Sequence, residues 1–213
     1  MKNILIKGNI KMGKKVYIFN IPAKETCTPT HWCIAGRNGK PACYGLRNNF
    51  LLPHAIDSAK QRYELSKTKE FVPLMINEIH TKDPKYFRLH AIGDFYSQEY
   101  VKKIIDIAKE CPNTLFRTTT RRRDLTSVIQ ELNALPNFIV RESLDKDRPN
   151  PIMNLPYAAI ASILPESIKN KIINETNQDK LENQTSAYKC LDNCVKCDYY
   201  CWKNRTNIYF EEH

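Results

Sequence analysis

The chain alternates short apolar runs with longer stretches whose apolar residues recur every three or four positions, and that alternation predicts most of its elements. Val16-Tyr17-Ile18-Phe19 is β-branched and aromatic, suits a strand and is closed by Pro22. Between Leu51 and Lys67, the residues Leu52, Ile56, Ala59 and Tyr63 fall at helical steps, and between Val72 and His80 so do Leu74, Met75 and Ile79. Asp83-Pro84 breaks the chain before a strand from Tyr86 to Ile92 that ends at Gly93-Asp94. Ser97 is placed to cap a helix whose inward face is Tyr100, Ile104, Ile107 and Ala108. Pro112-Asn113 stops that helix, and Thr114 to Thr119 reads as the next strand. Asp124 is placed to cap a helix through Val128, Ile129 and Leu132, and Phe138 to Ser143 reads as a further strand.

These are three successive strand–helix units at a spacing of about 25 residues, the rhythm of parallel α/β architecture. The stretch from Lys146 to Pro156 carries Pro149, Pro151 and Pro156 and reads as a long loop. Beyond it come an apolar run from Tyr157 to Leu164, a helix from Pro165 to Asn174, a polar segment to Thr185 and a short strand at Ser186 to Tyr188. In parallel sheets ligands gather at the carboxyl ends of the strands. Cys27, Gly93-Asp94, Thr118 to Arg123, Arg141 to Ser143 and Cys190 onward all follow strand ends, which points to one functional face.

Composition narrows the class. At 213 residues, 42% hydrophobic and 26% charged, the chain is ordinary for one globular domain. Six glycines argue against a Gly-rich phosphate loop, and the longest apolar run, Tyr157 to Leu164, is too short to span a bilayer. The first residues, MKNILIKGNIKMGKK, interrupt their apolar positions with lysine and form no signal-peptide core, so the expected location is the cytoplasm, with no membrane association. A net charge of +10 favours an anionic partner, nucleic acid first, against the plainer reading of a lysine-rich solvated surface.

Eight cysteines in a reducing compartment read as metal ligands rather than disulfides. Cys111 stands alone before Pro112 and reads as a packed residue. The run Cys190, Cys194, Cys197, Cys201 is a metal site by density alone. A straight helix would carry its ends roughly 16 Å apart, so the segment must curl around its metal. Zinc prefers separated knuckles, whereas this compact run is closer to ferredoxin-type spacing; zinc stays the alternative there. Cys27, Cys33 and Cys43 lie in the loop after the first strand. Three thiolates hold a [4Fe–4S] cluster by three corners and leave one iron open, while His31 would complete a closed zinc site instead. Trp32 and Tyr44 would shield a cluster from water.

Cys27, Cys33 and Cys43-Tyr44, then Arg88-Leu89-His90 with Gly93-Asp94-Phe95-Tyr96-Ser97 and Tyr100, and finally Cys194, Cys197, Cys201 and Trp202, resemble the phage gene product eighty-eight family from about Phe19 to Trp202. The resemblance implies a fold and a cofactor more than a reaction; that family is similar in layout to radical S-adenosylmethionine (SAM) enzymes. It implies a partial parallel β/α barrel over residues 1–185, with a four-cysteine metal-binding segment, residues 186–213, packed on it. One or two [4Fe–4S] clusters, SAM chelated at the open iron and an electron donor such as a flavodoxin or ferredoxin come with that reading. Gly93 and Asp94 would meet the SAM amino group, and Arg141 and Ser143, with Thr118 and Tyr44, would complete the cofactor site. The spacing usual for such enzymes, Cys-x₃-Cys-x₂-Cys, occurs at Cys190, Cys194 and Cys197 rather than in the first loop, but Cys201 closes that set.

His90 is a candidate proton donor beside Asp94, against the plainer reading of a buried, hydrogen-bonded histidine. Arg121, Arg122 and Arg123 at a strand-to-helix junction are candidates for phosphate contacts, against a solvated charge run partly paired with Asp124. The expected function is thus a radical SAM-like enzyme acting on an unidentified substrate, with nucleic acid the first candidate. The rivals are a non-catalytic zinc- or iron–sulfur-bearing nucleic-acid-binding protein and an iron–sulfur redox sensor.

Overall fold

The computed structural model describes residues 4–165 and 187–212 and shows a mixed α/β fold around one eight-stranded, mostly parallel sheet. In chain order the main elements are β1 (Ile6–Lys7), β2 (Val16–Phe19), α1 (His31–Ala35), α2 (Pro53–Lys67), α3 (Phe71–Lys82), β3 (Tyr86–Leu89), α4 (Gln98–Glu110) and β4 (Leu115–Thr120). They continue with α5 (Thr126–Asn133), β5 (Phe138–Leu144), β6 (Tyr157–Ile160), β7 (Ala187–Lys189), α6 (Tyr200–Lys203) and β8 (Asn207–Phe210). The strand order is β1-β2-β3-β4-β5-β6-β8-β7, and only the β1–β2 pair is antiparallel.

Because β2 to β5 advance steadily in one direction, right-handed crossovers put their helices on one face. Phe87, Phe116 and Phe138 point to that face and pack under Met75 and Ile79 of α3, Ile104 and Ile107 of α4 and Ile129 and Leu132 of α5. The alternation along β4, where Phe116, Thr118 and Thr120 are buried and Leu115, Arg117 and Thr119 less so, marks the two sides. The other face is covered by the C-terminal segment: Tyr199 and Trp202 pack on Val16, Ile18, Tyr86 and Ile208. Tyr86 and Tyr199 stack with ring centroids 4.1 Å apart.

The helical segments, the strands of the repeating units and the Ser97 cap follow the sequence pattern. The Ser97 hydroxyl accepts from the Tyr100 N–H at 3.1 Å, and Tyr100, Ile104, Ile107 and Ala108 are all buried. Cys111 is 3% exposed and packed in the main core. Two expectations change. The strand expected to reach Ile92 stops at Leu89, because His90 takes a left-handed φ of 60°. Asp124 does not cap α5; its carboxylate is taken by the Arg122 guanidinium at 2.7 Å. Strands β1 and β8 carry no alternation long enough to be read from sequence, having 2 and 4 residues. The expected helix from Pro165 to Asn174 lies, apart from its first residue, outside the described residues.

Candidate metal centres

The first cysteine loop is built by local rules. Thr30 caps α1, its hydroxyl accepting from the Cys33 N–H at 3.2 Å. Asn38 and Gly39 both have positive φ, 50° and 78°, and turn the chain back so that Arg37 and Lys40 pair. The return brings the Cys43 N–H to the Cys33 carbonyl at 3.1 Å. Gly93, at φ 87°, lies so close to this loop that a Cβ there would stand 2.5 Å from the Ile21 side chain and 2.6 Å from its carbonyl. Asn20 adds a tie, its side-chain oxygen accepting from the N–H groups of Ala91 at 2.8 Å and Ile92 at 3.2 Å.

At the carboxyl ends of β3, β4 and β5 two buried carboxylates organise the loop. The Asp94 carboxylate accepts from the Thr120 hydroxyl at 2.7 Å, the Arg121 N–H at 2.8 Å and the Phe95 N–H at 2.7 Å. The Asp94 N–H donates to the Thr26 hydroxyl at 3.2 Å. Burial pushes the Asp94 pKa up, against those hydrogen bonds. Asp145, 0% exposed, accepts from the Thr30 hydroxyl at 2.8 Å and Arg121 Nε at 3.0 Å. Its nearer oxygen is 3.9 Å from the Cys33 Sγ. Neither Asp145 nor Thr30 stands out in the sequence, although Thr30-x-x-Cys33 is a cap spacing and Asp145 follows Ser143 on the same strand end.

The thiols of this loop feel one another and share Arg121. Burial, then the nearby Asp94 charge, pushes Cys27 up to about 12, and burial also raises Cys43, which Cys33 raises further. The charge of Arg121 is favoured by Cys33, Asp145, Asp94 and Cys43. His31 is exposed, and the charged groups that bear on Cys27 and Cys43 are Asp94, Arg121 and neighbouring thiols.

The second neighbourhood lies on the opposite face from the crossover helices. Its chain does curl: Asp192, Asp198 and Tyr199 all have positive φ, and the Tyr199 N–H returns to the Cys194 carbonyl at 2.8 Å. Cys201 raises the pKa of Cys190, Cys194 and Cys197 alike, after burial as the main cause, with Cys194 reaching about 11. Beneath them Arg117 has its guanidinium 4.5 Å from the Trp202 ring centroid, and its charge is favoured by Cys201, Cys194 and Cys190. Arg88 bears on Cys194 and donates to the Tyr44 hydroxyl at 2.6 Å, while that hydroxyl donates to the Ala91 carbonyl. Tyr44 follows Cys43, so this one side chain links the two neighbourhoods.

The remaining candidates are placed as follows. His90 is 3% exposed under α4, with Nε2 2.9 Å from the Tyr100 hydroxyl, Nδ1 unpartnered, and its pKa pushed down by burial to about 3. Thr118 faces the crossover helices, away from the C-terminal segment. Arg141, 0% exposed, donates to the carbonyls of Thr206 at 2.9 Å, Cys201 at 3.0 Å and Asn204 at 2.5 Å, and so anchors the C-terminal segment; Ser143 lies two residues on along the same face. Arg122 is paired with Asp124 at 2.7 Å, and Arg123 with Glu142 at 2.7 Å, so the arginine run is engaged within the chain.

All eight cysteines are free thiols. Among the described residues, no three His, Cys, Asp or Glu side chains are grouped closely enough to hold a single metal ion as they stand. By residue type, the thiols at both places are ligands that a metal–thiolate centre would use. A buried thiol with raised pKa ionises only beside positive charge, and Arg121 and Arg117 supply one cation to each set. No helix of the described residues is long and apolar enough to cross a membrane. A family model described as Gene product 88 matches residues 3–203. No curated protein and no solved structure matches the chain.

Proposed function

The chain belongs to the Gene product 88 family, and on that premise we propose that it is a radical SAM-like iron–sulfur enzyme with an auxiliary centre. Cys27, Cys33 and Cys43 hold a [4Fe–4S] cluster, and Cys190, Cys194, Cys197 and Cys201 hold the second site. The mostly parallel sheet serves as the partial β/α barrel of such enzymes. The supporting observation is that Arg121, on the strand-end rim, bears on Cys27, Cys33 and Cys43 alike, while His31 is exposed. A cluster bound there supplies one electron and an open iron position.

The chain's own groups hold and tune that place. Arg121 sets its charge against the thiolates and is fixed by Asp145. Thr30 fixes Asp145 and caps the turn of helix that carries Cys33. Asp94 already accepts three hydrogen bonds, and a carboxylate has about four lone-pair sites, so one is left for an ammonium donor such as the amino group of SAM. The net charge of +10 supports an anionic substrate, nucleic acid first.

Anaerobic reconstitution with iron and sulfide tests the reading. About eight irons per chain are expected if both sites hold [4Fe–4S] clusters, with release of 5′-deoxyadenosine and methionine from SAM under a strong reductant. A colourless protein with stoichiometric zinc and salt-sensitive oligonucleotide binding would overturn it in favour of a binding protein. Cluster spectra without SAM cleavage would leave a redox protein.

A further inference from the structure

We propose that the loop from Asn9 to Gly13, together with the four-cysteine loop, forms the docking face for an acidic one-electron carrier protein, and that electrons enter the chain at the four-cysteine centre. The inference rests on the iron–sulfur reading of that centre and adds where, and through what surface, it is reduced.

Three large aliphatic side chains are exposed here: Ile10 at 96%, Val195 at 54% and Leu191 at 49%. They belong to two segments that are built against each other. The Cys194 N–H donates to the Lys11 carbonyl at 2.8 Å. Gly13, at φ 78°, lets the loops close, since a Cβ there would stand 2.7 Å from a Val195 methyl and 2.6 Å from the Tyr199 hydroxyl. Leu191 and Val195 each directly follow a cysteine of that loop, Cys190 and Cys194. Lys11, Lys14, Lys15 and Lys196 are exposed around them, with Asp192 and Asp198 the acidic residues of the cysteine loop.

An aliphatic centre with a cationic rim is the anatomy of a protein–protein contact, and a small one suits transient redox partners. A surface for single-stranded nucleic acid would instead offer aromatic rings for base stacking, and here the exposed centre is aliphatic. The charge complement of the rim is an acidic protein, which long-range attraction would steer onto it. In the transfer step the carrier's reduced prosthetic group loses one electron and the oxidised four-cysteine centre gains it; no proton or group need move. From there Arg88 and the Tyr44 hydroxyl lead to the residue beside Cys43.

The test uses full-length reconstituted protein, reduced flavodoxin as the acidic carrier and dithionite as a small reductant that needs no docking. Bleaching of the iron–sulfur absorbance is followed by stopped flow for wild type, Ile10→Glu and the double variant Lys11→Glu/Lys14→Glu. Flavodoxin-driven reduction is expected to fall about tenfold or more in both variants and to slow with salt in the wild type, while dithionite reduction and iron content stay within twofold. Equal flavodoxin rates in all three proteins would overturn the proposal. So would a loss of oligonucleotide binding, or of self-association, with carrier rates unchanged. Normal carrier reduction without SAM cleavage would sink the enzyme reading and leave this one standing. A zinc-filled, colourless protein would end both.

Discussion

Arg88 on β3 and Arg117 on β4 occupy the same register on neighbouring parallel strands, and both reach the thiols of the four-cysteine loop. Like charges side by side on one face of a sheet are destabilising unless something offsets them. Among the described residues neither forms an ion pair with a carboxylate; the groups that bear on them are the cysteine thiols. On the iron–sulfur reading proposed above, a metal–thiolate centre of net negative charge would be their counterpart.

Replacing Arg117 by Gln therefore removes a cation from beneath the second centre. The expected result is a more negative midpoint potential for that centre in an EPR-monitored redox titration, with the first centre shifted less. Metal retention against a chelator should drop roughly 10- to 100-fold, the usual cost of losing an outer-shell partner.

Arg141→Leu tests how the C-terminal segment is held. The substitution leaves the carbonyls of Thr206, Cys201 and Asn204 without their donor. Hydrogen bonds to a charged donor are worth about 1.5–3 kcal/mol each, so stability should fall by at least one such increment. Denaturant unfolding measures the loss, and limited proteolysis should cut first within the last 25 or so residues, where the anchored backbone is freed.

Gly93→Ala tests the fit between the first loop and β3. The added methyl meets the Ile21 carbonyl at 2.6 Å in a backbone conformation that L side chains rarely adopt. Strain of order 1–3 kcal/mol is expected, together with weaker iron retention at the three-cysteine site, read by unfolding midpoint and iron analysis. Gly39→Ala is the control: its φ is likewise positive, at 78°, but nothing lies within 4 Å of the added carbon, so it should carry the backbone cost alone.

His90 should couple stability to pH. Its folded pKa, pushed by burial to about 3, lies below the ordinary value of 6.5, so the unfolded chain takes up the proton first as pH falls. The stabilisation it gives is complete above about pH 6.5 and is lost progressively toward pH 3, at a slope of about 1.4 kcal/mol per pH unit for one proton. His90→Gln should flatten the pH dependence of the unfolding free energy in that window. An unchanged slope would mean that the imidazole protonates in the folded state.

Much of this was legible in the chain. Cysteine spacing marked both thiol neighbourhoods, and the pattern of Tyr100, Ile104, Ile107 and Ala108 fixed the buried face of α4. Such signals are local: a cap, a turn and a helical period each need only a few neighbouring residues to act. The partners of those thiols were not legible. Asp145 meets Arg121 and Thr30 across sequence separations of 24 and 115, and Arg117 meets the last cysteines only because β8 and β6 continue the sheet past β5. The arginine run at 121–123 read as phosphate contacts or as a solvated charge run because nothing nearby in sequence, apart from Asp124, announces Asp145 or Glu142. The sequence by itself thus determined where the thiols lie along the chain and most of the elements that bear them. Only the tertiary structure decided which charges face which thiols, because burial and long-range register set the electrostatics, and neither is written in any short stretch of chain.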